Sequence, residues 1–215
     1  MNIQLIKRNF FITFFLLSIA WIVWLYEQLT GISLSIYGII PHEIIGLRGI
    51  LFSPFLHGDI YHISSNTIPF LVLMTVLLNA YDRIGILVLV LIHLLTGFCV
   101  WQFSPTNSIH IGMSGVIYGI AGFLVGSGFF RNEKTALAIA IVIILMYGGM
   151  IWGFLPQDGI SWQSHFYGFL VGILLSYFFR KTKRHDEEEP TYSFEKEERD
   201  DRPFFEKHQQ DSFLD

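Results

Sequence analysis

The chain has 215 residues, of which 52% are hydrophobic and only 15% are charged, with a formal net charge of −4. This composition gives more apolar surface than a soluble domain of that length can bury, so it excludes a soluble protein and predicts a membrane protein. The lone cysteine, Cys99, excludes a disulfide within the chain.

Long windows without Asp, Glu, Lys or Arg mark the expected membrane spans. These windows cover residues 9–26, 60–81, 84–130, 135–157 and 159–179. A spanning helix needs roughly 20 residues, so the third window must hold two spans, divided by the polar run at 104–108. The sequence therefore predicts an all-α polytopic membrane protein, a bundle of six transmembrane helices with a short central fourth helix. The predicted spans are about 10–29, 61–80, 84–103, 114–130, 135–152 and 163–180.

Basic residues set the predicted orientation of this bundle. When six spans are threaded alternately, Arg48 alone among the flanking Lys and Arg residues falls on the outer side, which predicts cytoplasmic termini. Residues 185–215 carry 12 acidic and 4 basic side chains. Such a composition predicts a disordered cytoplasmic tail after a membrane domain at 1–184.

The connection after the first span is long and rich in apolar residues, so it is expected to lie along the outer interface, a plain connector being the alternative. It leads into His62 and Asn66, which share one face of the second span because they lie four residues apart. The pair could bond to neighbouring helices, or it could donate to a developing negative oxygen. Their spacing favours neither.

The fourth span begins in a serine- and glycine-rich stretch at 110–122. Ser114 lies at the helix N-terminus, where free N–H groups favour negative charge, and Tyr118 lies one turn later. The span is short, so Ser114 is expected at the floor of a water-accessible hollow. A stripe of small residues follows on this helix: Gly115, Gly119, Gly122 and Gly126. Ser114 could serve packing or act as a nucleophile.

The sixth span carries His165, Gly168 and Gly172 at i, i+3 and i+7, so the histidine heads a second glycine stripe. If the two stripes pack together, His165 comes beside Ser114 at the same end of the bundle. The flexible loop at 153–162 could cap the cavity between them.

The charge-free windows offer no carboxylate for a Ser-His-Asp triad, which favours a Ser-His dyad with the imidazole packed against Tyr118. Two histidines without Cys or carboxylate also give too few ligands for a metal site.

Three motifs occur in order on the second, fourth and sixth spans. They are His62-Ile-Ser-Ser-Asn66, Gly112-Met-Ser114-Gly115 with Tyr118, and Ser164-His165-Phe-Tyr-Gly168 with Gly172. Together they resemble the rhomboid family of intramembrane serine proteases over about 43–180. Two departures accompany the resemblance. Arg48-Gly49 stands where Trp-Arg is usual, and Met113 and Ser164 stand where Ala is common.

The resemblance implies that Ser114 is the nucleophile and His165 the general base. His62, Asn66 and the Ser114 backbone N–H would hold the oxyanion, while Tyr118 would stack on the His165 ring. The supporting glycines would be Gly112, Gly115, Gly168 and Gly172. By the same resemblance, the enzyme would need no cofactor or metal and would cut single-span membrane proteins near the outer end of their transmembrane segment.

Two other classes of function remain open. A non-catalytic relative would bind and route transmembrane segments on the same scaffold, although such relatives lose the serine or the histidine, and both are present. A transporter would commonly show a two-fold repeat and buried charges, which this chain lacks. The expected partners are transmembrane substrates and the lipid bilayer, with no nucleic acid, and the expected location is the bacterial inner membrane. The oligomeric state is left open.

Overall fold

The computed structural model describes residues 3–157 and 159–182 of the chain, so the predicted acidic tail at 185–215 lies outside the described residues. Within these ranges the structure forms helices and no strands, which confirms the all-α prediction. The α-helices, in chain order, are α1 Ile3–Thr30, α2 Gly49–Phe52, α3 Ile60–Ala80, α4 Gly85–Phe103, α5 Ser114–Phe130, α6 Lys134–Tyr147 and α7 Trp162–Phe178. Short 3₁₀ helices cover Ser35–Tyr37, Ile44–Arg48, Ser53–Phe55 and Gly148–Phe154.

Four stretches in the described part of the chain are long and apolar enough to cross a bilayer. They are α1, α3, α4 and the continuous helix formed by α6 with the 3₁₀ helix after it. With 17 residues each, α5 and α7 are shorter than the roughly 20 residues of an average span. The chain is thus a helical membrane protein, and the count of six spans stays a prediction.

Two predicted boundaries differ from the structure. Helix α1 begins at Ile3 rather than near residue 10, because a helix continues through Lys7 and Arg8, whose long side chains can extend their charges to the membrane surface. The fifth predicted span ends as an α-helix at Tyr147 and continues as 3₁₀ helix through Phe154. The pair Gly148-Gly149 favours this change because glycine weakens an α-helix.

Helix α5 occupies the centre of the bundle. Thirteen of its seventeen residues are buried, whereas only three of the fourteen in α6 are buried. An outer helix can leave apolar side chains in lipid, but a central helix must fit against neighbours on every side. The prediction of a short central helix is confirmed: the helix predicted as the fourth span is α5, and its first residue is Ser114.

The long first connection is fixed to the bundle despite its Arg48-Gly49 sequence. Arg48 donates from Nη2 to the Ile36 carbonyl over 2.8 Å, and its guanidinium carbon lies 4.5 Å from the centre of the Tyr37 ring. A Cβ on Gly49 would collide with the Gly38 backbone. Trp101 at the end of α4 adds a 2.8 Å bond from Nε1 to the Glu43 carbonyl. Arg48 and Gly49 therefore each contribute a contact within the connection, and Trp101 fixes the connection to α4.

Candidate active site

A cavity of about 1340 Å³ lies among the helix ends that the motifs mark. The N-terminal ends of α3, α5 and α7 meet here, and the 3₁₀ helix Gly148–Phe154 lies alongside. Residues that line the cavity include His62, Asn66, Ser114, Tyr118 and His165. The structure thus brings the predicted serine, both predicted histidines, the asparagine and the tyrosine to one cavity.

Ser114 and His165 are in direct hydrogen-bond contact. His165 Nε2 lies 2.8 Å from Ser114 Oγ, and the other ring nitrogen, Nδ1, lies 2.8 Å from the carbonyl oxygen of Gly153. A carbonyl can only accept, so Nδ1 carries the proton and donates it to Gly153. Nε2 is therefore free to accept from the serine hydroxyl, which is the arrangement that a general base needs.

Aromatic stacking fixes the plane of the His165 ring. The Tyr118 and His165 rings are 4.1 Å apart between centroids and inclined by only 6°. The Tyr118 hydroxyl donates to the Met150 carbonyl over 2.7 Å. Because Met150 and Gly153 both belong to the 3₁₀ helix after α6, that helix holds the imidazole directly through Gly153 and indirectly through the tyrosine.

Asp59 is the acidic residue among the described residues that line the cavity, and its carboxylate is engaged elsewhere. Oδ1 of Asp59 accepts from the His62 backbone N–H over 2.8 Å and so caps the N-terminus of α3. The Gly153 carbonyl takes the orienting position at His165 Nδ1 that an aspartate occupies in a triad.

The predicted oxyanion donors lie around the segment that leads into α5. Asn66 is buried, and its Nδ2 lies 3.2 Å from His57 Nε2. The His62 imidazole lies so close to Gly112 that a Cβ there would meet its Nε2. Ser114 is the first residue of α5, so its backbone N–H has no intrahelical acceptor. Gly112 has φ of 106°, a conformation that favours glycine.

His57 is a member of this site that sequence reasoning did not single out. It is buried, its ring packs edge-on against His62 with centroids 4.9 Å apart, and the Met113 N–H points to its Nε2 over 3.5 Å. Burial and the neighbouring His62 lower the pKa of His57 to about 4, so the ring is neutral at pH 7. Neutral Nε2 accepts from Asn66 and leaves the second amide hydrogen of Asn66 for another acceptor.

The signal that could have identified His57 is weak. It precedes His62 by five residues and lies before the start of α3, so helical periodicity does not place the two on one face. Gly153 contributes through its carbonyl, which every residue type carries, and so gave no side-chain signal either.

Glycines allow α5 and α7 to approach closely in the turns that follow Ser114 and His165. A Cβ on Gly168 would collide with the Gly115 carbonyl, and one on Gly172 would collide with the Gly119 carbonyl. Contact at this range places the Ser114 and His165 ends side by side. The two stripes noted in the sequence are the surfaces that meet.

Comparison with known proteins agrees with this architecture. The family model of the Rhomboid domain matches residues 46–182 of this chain. An uncharacterized protein of Mycobacterium tuberculosis is 32% identical over 176 residues, covering 78% of this chain and 73% of its own length. An uncharacterized protein of Mycobacterium leprae is 32% identical over 179 residues, covering 78% of this chain and 70% of its own. The chain is therefore a member of the rhomboid family of integral membrane proteins.

Proposed function

We propose that this protein is an intramembrane serine endopeptidase that cleaves single-span membrane proteins near the outer end of their transmembrane segment. The observation that carries the proposal is the 2.8 Å contact from His165 Nε2 to Ser114 Oγ, with Nδ1 held by the Gly153 carbonyl. A packing serine would not need an imidazole whose tautomer is fixed for proton acceptance.

The reaction follows from the proton positions. Ser114 Oγ attacks the substrate carbonyl carbon as its proton moves to His165 Nε2, and the carbonyl oxygen becomes an oxyanion. His62, Asn66 and the Ser114 backbone N–H stabilise that charge. His165 then gives the proton to the leaving amine, and the peptide bond breaks to leave an acyl-enzyme. Water, activated by the same imidazole, releases the carboxylate product and restores Ser114.

The proposal includes a membrane orientation and a domain division. The Lys and Arg residues that flank the predicted spans fall on one side of the membrane, apart from Arg48, and this asymmetry supports a multi-pass topology with cytoplasmic termini. The mycobacterial relatives support a bacterial cell membrane as its location. A membrane domain at 1–184 would then carry the chemistry, and the acidic segment at 185–215 would lie in the cytoplasm.

The test is cleavage of a single-span reporter by the purified full-length protein in proteoliposomes. Ser114→Ala and His165→Ala should each reduce product to background, because they remove the nucleophile and the base. The matched control is Ser127→Ala, which removes a buried hydroxyl thirteen residues further along α5. This control should cleave like the wild type, and undiminished cleavage by Ser114→Ala would refute the mechanism.

A fluorophosphonate probe separates an enzyme from a protein that only binds transmembrane segments. The wild type and Ser127→Ala should become labelled, and Ser114→Ala should not. A folded wild-type protein that captures the reporter, leaves it uncut and resists the probe would establish the binding alternative.

A further inference from the structure

His110 joins three segments of the chain beside the proposed active site. The residue is buried, with 4% of its surface exposed, and lies four positions before Ser114. Its backbone N–H and carbonyl pair with Ile39 of the first connection over 2.9 and 3.0 Å. Its Nδ1 lies 2.5 Å from Ser161 Oγ at the start of α7. The residue therefore ties the segment before the nucleophile to the segment before the base.

The contact with α7 extends through a second hydroxyl. Ser161 Oγ lies 2.5 Å from Ser164 Oγ, and Ser164 immediately precedes His165. Ser161 is the N-cap of α7, yet its side chain makes no capping bond to that helix. A serine in this position usually accepts from the first turn of its own helix. Here its hydroxyl lies between His110 and Ser164 instead.

The positions of the hydrogen atoms in this hydrogen-bonded series follow from counting donors. Ser108 donates its only hydroxyl proton to the Pro105 carbonyl, so it must accept from His110 Nε2, which lies 3.0 Å away. With Nε2 protonated, Nδ1 of the neutral ring is the acceptor. Ser161 donates to that nitrogen and in turn accepts from Ser164. Burial lowers the pKa of His110 to about 4, which keeps the ring in this neutral form at pH 7.

We propose that His110 is a positioning residue for catalysis, which holds the start of α7 at the segment before Ser114 through Ser161 and Ser164. This inference rests on the proposed protease function. The dyad joins two helix ends across one hydrogen bond, and a displacement of about 1 Å at such a contact can cost 10²-fold in rate. The hydrogen bonds of His110 therefore hold the starts of α5 and α7 at a fixed distance without using the reacting groups of Ser114 and His165.

Two variants of similar size separate hydrogen bonding from packing. His110→Asn keeps an acceptor oxygen near the position of Nδ1, whereas His110→Leu fills similar space with no acceptor. With the full-length protein in proteoliposomes, His110→Leu should lower kcat at least about tenfold and leave KM within about twofold. His110→Asn should recover kcat to within about threefold of the wild type. Equal kcat values for the two variants would refute the hydrogen-bonding role.

A double-mutant cycle tests whether the effect passes through Ser161. Ser161→Ala should lower kcat, and its combination with His110→Leu should be no slower than the slower single variant, because both break one connection. Multiplicative losses would overturn the proposal. Ser164→Ala removes only the last hydroxyl of the connection and should lower kcat several-fold. This variant serves as the test if His110→Leu does not fold. A kcat of Ser164→Ala equal to that of the wild type would contradict the connection.

Labelling by a fluorophosphonate distinguishes failure of this inference from failure of the proposed function. The wild type should react at Ser114, and His110→Leu should react at least about tenfold more slowly. A wild type that does not react would overturn the protease assignment and with it this inference. A wild type and a His110→Leu variant that react at the same rate would overturn the positioning role alone.

Discussion

The histidines around the cavity differ in what each ring nitrogen contacts, and those contacts separate their chemistry. His165 donates to a backbone carbonyl and accepts from a serine, which suits a base. His57 accepts from an amide, and His110 lies between two serine hydroxyls. One residue type is therefore suited to proton transfer at one position and to orienting neighbouring groups at the other two.

A substitution of the single residue Asn66 tests the proposed oxyanion donors. Asn66→Ala should lower kcat about tenfold while KM stays within twofold, because it removes one of three proposed donors that act mainly in the transition state. Steady-state cleavage of the reporter measures both constants. An unchanged kcat would remove Asn66 from the oxyanion role, and a rise in KM alone would assign it to substrate binding.

The sequence could predict the proposed reactive pair and the stacking of Tyr118 on His165, but not the polar groups that support the pair from outside the motifs. Ser114 and His165 are recognisable because each stands at the start of a glycine-striped helix, and polar groups in such apolar segments are rare. The support from Gly153 comes from a carbonyl, and that from His110 depends on a contact across 51 residues. Ser164 appeared in the sequence as a departure from the usual alanine, and the structure gives its hydroxyl a partner.

At the scale of elements, the packing of α5 against α7 fixes the geometry of the proposed dyad. The glycines let the two backbones touch, so a side chain at the contact must move one helix away from the other. The periodicity of the sequence predicted which faces meet. The pair Gly148-Gly149 indicates where α6 weakens, but it could not predict that the 3₁₀ helix that follows would contact α5 through Met150 and α7 through Gly153.

Gly172→Ala tests this packing. The added methyl group would meet the Gly119 carbonyl and the Phe123 backbone nitrogen, so overpacking should destabilise the fold by about 1–3 kcal/mol. Gly148→Ala is the control, since its methyl group would meet nothing within 4 Å and its φ of −56° suits alanine. Thermal unfolding in detergent should show a lower midpoint for Gly172→Ala and an unchanged midpoint for Gly148→Ala. Equal midpoints for the two variants would contradict the close contact between α5 and α7.

At the scale of the whole molecule, apolar helices surround a cavity that polar side chains help to line, and burial keeps two histidines in the connecting segments neutral. The pKa values of His57 and His110 are lowered to about 4, below the ordinary value of about 6.5. Between these two pH values the unfolded chain binds more protons than the folded chain does. The contribution of these two histidines to stability is therefore fully present above about pH 6.5, falls as the pH drops, and stops changing below about pH 4.

The pH dependence can be measured as the unfolding midpoint of the wild type and of His110→Asn. Each histidine contributes at most about 3 kcal/mol to the loss between pH 6.5 and 4. The wild-type midpoint should therefore fall more steeply than that of the variant across this window, and the two should run parallel above pH 7. Parallel curves throughout would show that His110 does not titrate with a lowered pKa.

The 3₁₀ helix after α6 contacts both the cavity and the proposed base, because Met150 lines the cavity and Gly153 contacts His165. Its Gly153 carbonyl selects the tautomer of His165, and its Met150 carbonyl anchors the stacked Tyr118. Any displacement of this segment that widened the cavity would also release the imidazole from its orienting partner. In the proposed protease, a site opened in that way would admit a substrate while inactive, and His165 would be oriented as the base again only after the segment returned.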